Sequence, residues 1–307
     1  MHIRVLGSAA GGGYPQWNCN HPNSRKARQN TPEAPQRTQS SIAVSADGLK
    51  WVLFNASPDL RQQIADNDIL HPRDLLRDSP IKAVVLTNAD VDHVGGLLNL
   101  RESQPLNIYG TTRVLSVLES NTIFNVLNPK FVSRNPLQLE LSQDLKEQNK
   151  NNLKLSIKPF AVPGKVALWL EDETKGKDFG SVDEDTIALE VTSGGKRFFY
   201  IPACAKMTEE LANRIKGSDL VFFDGTLWVD DEMIREKVGI KTGKRMGHMS
   251  VSGTDGTLAA FEKLSIKRKV FIHINTTNPI LISDTAERSI VEKAGWEVSF
   301  DGMNIDL

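Results

Sequence analysis

The sequence predicts a layered α/β fold on the strength of three observations. Short runs of β-branched and aromatic residues recur along the 307-residue chain, and helix-like stretches lie between them. No Pro/Gly/Ser-rich linker divides the sequence. Strands and helices interspersed over this length favour stacked layers of sheet and helix. We therefore expect one domain that spans residues 1–307.

The predicted strands are apolar runs of four to eight residues, bounded by polar, Gly or Pro positions. They are Ile3–Leu6, Ser41–Ser45, Trp51–Phe54, Ala83–Leu86, Leu153–Phe160, Ile187–Val191, Phe198–Ile201, Leu220–Phe223, Val270–Ile274 and Glu297–Phe300. Between them, three segments are predicted to be loops because they are rich in charge, Gly or Pro: Asn18–Gln36, Glu171–Asp185 and Gly239–Gly256.

One helix is predicted from its start signal, "SPDLRQQI". Ser57 is the expected N-cap, Pro58 takes the first helical position, and Asp59 faces the helix dipole. Further helices are predicted at Gly95–Arg101, Thr111–Asn121, Thr208–Ile215, Gly253–Leu264 and Ser283–Ala294.

Composition and charge limit the classes of function that fit this protein. The formal net charge is -1, which argues against nucleic acid or an anionic membrane as the partner. The two cysteines, Cys19 and Cys204, are too few for a disulfide framework and fit a reducing compartment. The sequence has neither a signal-peptide pattern nor a run of roughly 18 apolar residues. We expect a cytoplasmic protein without membrane insertion.

The segment "VVLTNADVDHVGGLL" places polar residues at the end of a predicted strand. Asp90, Asp92 and His93 follow the apolar run, and Gly95 and Gly96 then allow tight packing of the next helix. Ligand sites of open α/β sheets lie at such strand ends. The alternative is a simple strand-to-helix turn in which Asp90 or Asp92 caps the helix.

Three later residues follow a similar pattern. Asp224 ends the apolar run "LVFFD", where a carboxylate is costly unless it is exposed, hydrogen-bonded or bound to metal. His273 lies at the tip of "KVFIH", and the alternative to a site residue there is an ordinary core histidine. His248 lies in a Gly-rich loop, where the alternative is a solvated histidine. Together they indicate a candidate metal or catalytic site.

Two other features are set aside as sites. "LGSAAGGGYPQ" follows a strand, but it lacks the Gly-Lys-Ser/Thr ending of a P-loop and the helix of a dinucleotide fingerprint. Cys204 has no histidine nearby in sequence, so a buried, inert thiol is expected there.

Taken in order, the motifs resemble the metallo-β-lactamase superfamily, with the layout of its tRNase Z-like branch. More specifically, seven segments are similar to the pyrroloquinoline quinone (PQQ) biosynthesis protein B family, PqqB. They are "GSAAGGGYPQWNCN", "RTQSSIAVS", "NASPDLRQQI", "DVDHVGGLLNLRE", "FDGTLWVDDEMI", "KTGKRMGH" and "FIHINTTNPIL".

The resemblance implies a four-layer αββα sandwich with a metal site at one edge of its sheets. The hydrolase branch carries H-x-H-x-D-H, but Asn88 and Asp90 occupy the two leading histidine positions here. What remains is Asp92, His93 and His273, the composition of a 2-His-1-carboxylate face typical of non-haem iron(II) oxygenases. Asp90 and Asp224 are expected as supporting or additional metal ligands, and His248 as a catalytic residue whose loop covers the substrate.

The implied activity is an iron-dependent oxygenase that hydroxylates the tyrosine ring of a cross-linked glutamate–tyrosine precursor of PQQ. The expected partners are this precursor and molecular oxygen, and a homodimer is one option for the assembly. The alternative is a non-catalytic carrier that helps PQQ or its precursor reach the periplasm. A zinc-dependent hydrolase is disfavoured by Asn88 and Asp90.

Two secondary sites remain as expectations. Members of the family commonly carry C-x-C-x-x-C after "PQWN" as a structural zinc knuckle. Here Cys19 is retained, but His21 and Ser24 replace the other two cysteines, so we expect a weak or absent zinc(II) site. Arg37, with the serines that follow it, would recognise substrate carboxylates. An ordinary strand start is the alternative.

Overall fold

Two seven-stranded sheets form the centre of the computed structural model, which describes residues 1–167, 170 and 179–307. The first sheet has the order β14-β1-β2-β3-β4-β5-β6 and the second β13-β12-β11-β10-β9-β8-β7. In both sheets antiparallel pairs on one side give way to parallel pairs on the other, beginning at β3–β4 and at β10–β11. The two sheets therefore share the same arrangement of antiparallel and parallel strand pairs.

The strand bounds are as follows. The first sheet contains β1 (His2–Gly7), β2 (Ser41–Ser45), β3 (Trp51–Phe54), β4 (Ile81–Val85), β5 (Leu106–Thr111), β6 (Val132–Leu137) and β14 (Asn304–Asp306). The second contains β7 (Gln143–Lys146), β8 (Asn152–Lys165), β9 (Phe179–Ser193), β10 (Lys196–Ile201), β11 (Leu220–Asp224), β12 (Arg268–Ile272) and β13 (Trp296–Val298).

The helices of the described residues are short. They are α1 (Pro22–Arg28), α2 (Leu60–Asp66), α3 (Val91–Val94), α4 (Thr112–Ser120), α5 (Glu209–Ile215), α6 (Glu232–Arg235), α7 (Thr257–Phe261) and α8 (Ala286–Lys293). A 3₁₀ helix, Gly95–Leu100, continues directly from α3.

The side chains of the strands divide the molecule into layers. Val85 and Phe222 point into an apolar core that both sheets share. Their sequence neighbours point outward: Val84 packs with α2 and α4, and Phe223 with α5, α7 and α8. This alternation follows from the two-residue period of a strand. The expected four-layer αββα sandwich is confirmed.

Several predicted elements need correction. Four strands are absent from the prediction, namely β5, β6, β7 and β14. The predicted loop Asn18–Gln36 contains α1, which His21 caps by accepting a hydrogen bond from the Asn23 amide. Of the loop predicted at Glu171–Asp185, residues 179–185 belong to β9, and residues 171–178 lie outside the described part of the chain.

The helix predicted from "SPDLRQQI" also starts later than expected. Ser57 is not its N-cap, because α2 begins at Leu60 with Asp59 at the cap position. The Asp59 carboxylate makes no capping bond and instead accepts hydrogen bonds from the backbone and side chain of Gln39.

Candidate metal centre

The ends of β4 and β12 bring three predicted site residues together. Asp92 and His93 lie in α3, just beyond β4 of the first sheet, and His273 directly follows β12 of the second. One ligand atom from each of the three lies within 4.8 Å of the others. The centre therefore draws on both sheets, at an edge where one β-bridge joins Ala9, just after β1, to Ile274, just after β12.

His93 is oriented by Asn88. The His93 Nδ1–H donates to Asn88 Oδ1 at 2.7 Å, and the same oxygen accepts the Asp90 amide at 3.0 Å. Burial lowers the pKa of His93 below its ordinary value, so the ring is neutral near pH 7. Its other nitrogen, Nε2, is buried and has no hydrogen-bond partner. An orphaned, unprotonated imidazole nitrogen that faces a carboxylate has the chemistry of a metal ligand.

Asp92 and His273 face each other across the centre. The His273 Nε2 lies 3.0 Å from Asp92 Oδ2, which is also 3.8 Å from His93 Nε2. Burial alone would raise the pKa of the Asp92 carboxyl, but the His93 ring and the hydrogen bond from His273 hold it below its usual range. Burial likewise opposes protonation of His273, yet its hydrogen bond to Asp92 raises the pKa of its ring. The two groups form a partly buried ion pair in which a metal ion would replace the shared proton.

Thr226, which no pattern in the sequence singles out, connects the residues behind the centre. Its Oγ1 lies 2.6 Å from Asp224 Oδ1, 2.9 Å from His273 Nδ1 and 3.1 Å from His248 Nδ1. It also lies 2.9 Å from the carbonyl oxygen of His273, a residue whose φ of 59° is left-handed. Left-handed φ is uncommon outside glycine and persists where the surroundings fix it. The Thr226 hydroxyl thus holds the ring of His273, and the Thr226 carbonyl oxygen holds the backbone beyond it by accepting the Asn275 amide at 3.0 Å.

Asp224 is surrounded by donors. Its Oδ1 accepts from the Thr226 amide and hydroxyl, and its Oδ2 accepts from the Cys204 amide at 3.0 Å. His248 Nδ1 lies 2.7 Å from that same Oδ2, and the His248 ring stacks on His273 with centroids 5.1 Å apart. Asp224, His248 and His273 form a second group of candidate metal ligands. The four donors on Asp224 favour its supporting role.

Asp90 lies at the rim of the centre rather than in either three-residue group. It occupies the N-cap position of α3, but its side chain makes no capping bond. Its Oδ2 is 3.4 Å from Lys165 Nζ, a neighbour that no pattern in the sequence singles out. The simple capping role that was the alternative for this carboxylate is therefore not what its geometry favours.

A pocket of about 490 Å³ opens onto the centre. The predicted loop Gly239–Gly256 supplies one wall through Ile240, Lys241, Met246 and His248, and Lys165 packs against Gly247 of this loop. The glycine-rich segment near the N-terminus supplies another wall, where Gly11 lies directly against Asp92. Apolar and cationic side chains thus line the pocket around the candidate metal ligands.

Two expectations about binding residues have different outcomes. Arg37 is buried and donates to the carbonyl oxygen of Ser299, and Ser40 and Ser41 are fully buried. This favours the ordinary strand start over recognition of substrate carboxylates. Cys204 is buried, and burial raises the pKa of its thiol to about 12, in line with the inert thiol expected.

The residues expected to hold a vestigial zinc are engaged elsewhere. Cys19 Sγ accepts a hydrogen bond from the His21 amide, and His21 Nε2 lies 3.0 Å from Glu236 Oε2. Ser24 Oγ lies 2.7 Å from Thr276 Oγ1. Within the described residues, neither Cys19 nor His21 belongs to a group of three candidate ligands. The donor set does not fit a closed four-ligand zinc site.

The two sheets, their helical outer layers and the cluster of candidate metal ligands at the sheet edge define a metallo-β-lactamase-fold protein. A family model described as a β-lactamase superfamily domain matches residues 50–274.

Closer relatives cover the whole chain. "Coenzyme PQQ synthesis protein B" of Gluconacetobacter diazotrophicus is 54% identical over 307 residues, covering 99% of both chains. The protein of the same name from Xanthomonas campestris is 52% identical and covers 100% of both. The crystal structure of Zn²⁺-bound PqqB from Methylobacterium extorquens is similar with a TM-score of 0.95, 49% identity and complete coverage of both chains. The chain belongs to the coenzyme PQQ synthesis protein B family.

None of the helices in the described residues has the length and apolar character needed to cross a bilayer.

Proposed function

We propose that this protein is a non-haem iron(II) oxygenase that hydroxylates the tyrosine ring of the cross-linked glutamate–tyrosine precursor of PQQ. In each hydroxylation a ring C–H becomes C–OH with one atom of molecular oxygen. The other oxygen atom leaves as water, using two protons and two electrons from an external reductant. Membership of the PQQ synthesis protein B family supports the pathway, and the β-lactamase fold supports metal-dependent chemistry.

The observation that carries the proposal is the composition of the centre. Asp92, His93 and His273 offer two imidazoles and one carboxylate, and the pocket opens on the same side. This ligand set with open positions suits iron(II) and oxygen, whereas zinc hydrolases of the fold use more histidines. A bound iron(II) ion would supply the activation of molecular oxygen.

The protein's own residues prepare the site for that ion. Asn88 holds the proton of His93 on Nδ1, which leaves Nε2 as the ligand atom. Thr226 accepts the Nδ1 proton of His273 and donates to Asp224, so the Nε2 of His273 is the second ligand atom. Asp224 holds His248 through Nδ1, which leaves the other ring nitrogen of His248 for a substrate in the pocket.

The pocket suits an amino-acid-derived substrate. Met233, Ile240 and Met246 provide apolar surface for a ring, and Lys165 and Lys241 provide cations for carboxylates. A volume of about 490 Å³ is within the usual range for small-molecule sites.

The test is a single-turnover assay. The chain is loaded with iron(II) without oxygen, then mixed with the precursor, ascorbate and oxygen, and the products are analysed by mass spectrometry. We expect a product heavier by one or more oxygen atoms. His71→Ala, which changes an exposed histidine remote from the pocket, should retain turnover, whereas His93→Ala should abolish it. Equal product from wild type and His93→Ala would refute the proposal.

The carrier function remains the second candidate, because a pocket of this size could also hold PQQ or its precursor for delivery to the periplasm. A carrier needs no intact metal face. Cells carrying His273→Ala would then still accumulate PQQ, whereas the oxygenase requires that production to stop.

We also propose that residues 1–307 act as one domain. The shared core supports this, because it combines β1–β4 of the first sheet with β10–β12 of the second. A single cooperative unfolding transition is the expected result, and two separated calorimetric transitions would contradict it.

A further inference from the structure

The backbone just beyond His273 is held by α1 of the N-terminal segment. Asn23 Nδ2 donates to the carbonyl oxygens of Thr276 at 3.2 Å and Thr277 at 3.1 Å. Beside it, Ser24 Oγ lies 2.7 Å from Thr276 Oγ1. All four residues are buried, so these bonds are shielded from competing water.

The opposite side of the same turn is held by α6. Glu232, at the start of that helix, accepts a hydrogen bond from Thr277 Oγ1. Glu236, just past its end, contacts His21 Nε2, which links α6 back to α1. Arg28 closes the N-terminal segment by donating to the carbonyl oxygens of Cys19 at 2.6 Å and Gln16 at 2.7 Å.

The backbone conformation of His273 explains why the turn at Thr276 and Thr277 is held from two sides. Its left-handed φ of 59° is unfavourable for a residue with a side chain and must be maintained by its surroundings. On one side the Thr226 carbonyl oxygen accepts the Asn275 amide at 3.0 Å, and on the other the turn at Thr276 and Thr277 is fixed by α1.

We propose that residues Cys19–Arg28 form a metal-free clamp that positions the His273 imidazole by holding the backbone beyond it. The positioning residues of the clamp are the two that bond to Thr276 and Thr277, namely Asn23 and Ser24, and neither belongs to either group of candidate ligands. The proposal rests on the metal-binding part of the proposed function. It does not depend on which metal acts or on the reaction.

The first experiment measures cobalt(II) binding, because the absorption spectrum of cobalt reports the geometry of its ligands. Ser24→Ala should weaken cobalt binding about 10-fold and change the visible bands of the bound ion. Asn23→Ala, which removes both carbonyl contacts, should do the same and serves as a second variant if Ser24→Ala does not fold. Arg25→Ala, exposed on the same helix, is the matched control and should match wild type.

The second experiment asks whether the clamp itself holds metal. Cys19→Ser and His21→Ala should bind the same number of cobalt ions per chain as wild type, and wild type should lack a thiolate-to-cobalt charge-transfer band. Loss of one ion per chain in either variant would show a metal site and overturn the inference. So would Ser24→Ala and Asn23→Ala spectra identical to that of Arg25→Ala. A wild-type chain that binds no cobalt would instead refute the proposed function, and the clamp with it.

Discussion

The Nδ1 atom of His93 lies 2.7 Å from Oδ1 of Asn88. Asn88 stands where hydrolases of the resembling superfamily carry a histidine, so a residue type that would bind metal there instead orients a neighbouring imidazole. The same amide oxygen also receives the Asp90 amide, which ties the strand end to the start of α3. Asn88 thus fixes the orientation of His93, one of the candidate ligands.

Asn88→Ala should weaken metal binding about 10- to 100-fold, because His93 loses the partner that sets its tautomer and ring orientation. The dissociation constant can be measured by competition with a coloured chelator. Asn99→Ala, in the 3₁₀ helix after α3, is the matched control. Unchanged affinity in Asn88→Ala would mean that His93 is not a ligand.

Thr226→Val should reduce metal affinity about 10-fold and destabilise the fold by about 1–3 kcal/mol, because buried groups of Asp224 and His273 lose their hydroxyl partner. Thr226→Ser keeps the hydroxyl and should stay close to wild type. Urea unfolding of the metal-free chains and chelator competition give the two quantities separately. Identical behaviour of Val and Ser at this position would argue against the connecting role of Thr226.

Gly96→Ala should destabilise the protein by about 1–3 kcal/mol through overpacking. A Cβ at Gly96 would collide with the backbone of Ala56 and Ser57, which cannot move aside as a flexible side chain can. Gly110→Ala is the control, because its Cβ would meet only side-chain atoms at 3.4 Å or more. Chemical denaturation of both variants measures their free energies of unfolding, and only that of Gly96→Ala should fall by this amount.

The stability of the chain should depend on the ionisation of Glu232. Burial raises the pKa of Glu232 to about 7, although its Oε2 accepts the Trp228 amide at 2.6 Å. The folded chain therefore keeps a proton that the unfolded chain releases near pH 4.5. This contribution is fully present below that pH and is lost as pH rises through about 7, at a cost of up to about 3 kcal/mol.

The measurement for Glu232 is the free energy of unfolding between pH 4.5 and 8 for wild type and Glu232→Gln. The variant has no carboxyl to ionise, so its stability relative to wild type should increase with pH. A constant difference across this range would contradict the raised pKa.

Metal should stabilise the fold by an amount that rises with the logarithm of the metal concentration. A ligand that binds only the folded chain at 100 times its dissociation constant adds about 2.7 kcal/mol. Zinc or iron(II) should therefore raise the melting temperature, and Asp92→Asn should remove most of that rise. Asp306→Asn, at an exposed carboxylate paired with His2, is the control. A rise of equal size in Asp92→Asn would point to a different binding site.

Much of the fold could be read from the sequence because its central strands are buried on both faces. Ser41–Ser45 and Trp51–Phe54 match the predicted bounds, since continuous β-branched and aromatic runs are distinctive. The strands β6 and β7 lie at sheet edges, where polar residues are tolerated and Pro136 does not interrupt pairing on the solvent side. Their sequences therefore lack a strand pattern.

Each candidate ligand could be picked out for a related reason: a carboxylate or histidine after a buried strand must have a special environment. That Asp92, His93 and His273 come together was expected only from the fold resemblance. The supporting residues were not. Thr226 contacts His248 and His273, which are 22 and 47 positions away, and nothing about a threonine after Asp-Gly signals those contacts. Ser24 likewise reads as a degenerate position until its contact with Thr276, 252 positions away, is seen.

The candidate ligands come from both sheets, with Asp92 and His93 after β4 and His273 after β12. Sliding of one sheet over the other by a fraction of an ångström would alter the ligand-to-ligand spacing directly. Volume changes in the interior between the sheets, such as Phe54→Leu or Phe222→Leu, would then tune the centre from a distance. Substitutions among apolar residues that do not line the pocket would therefore change the chemistry at the candidate metal centre.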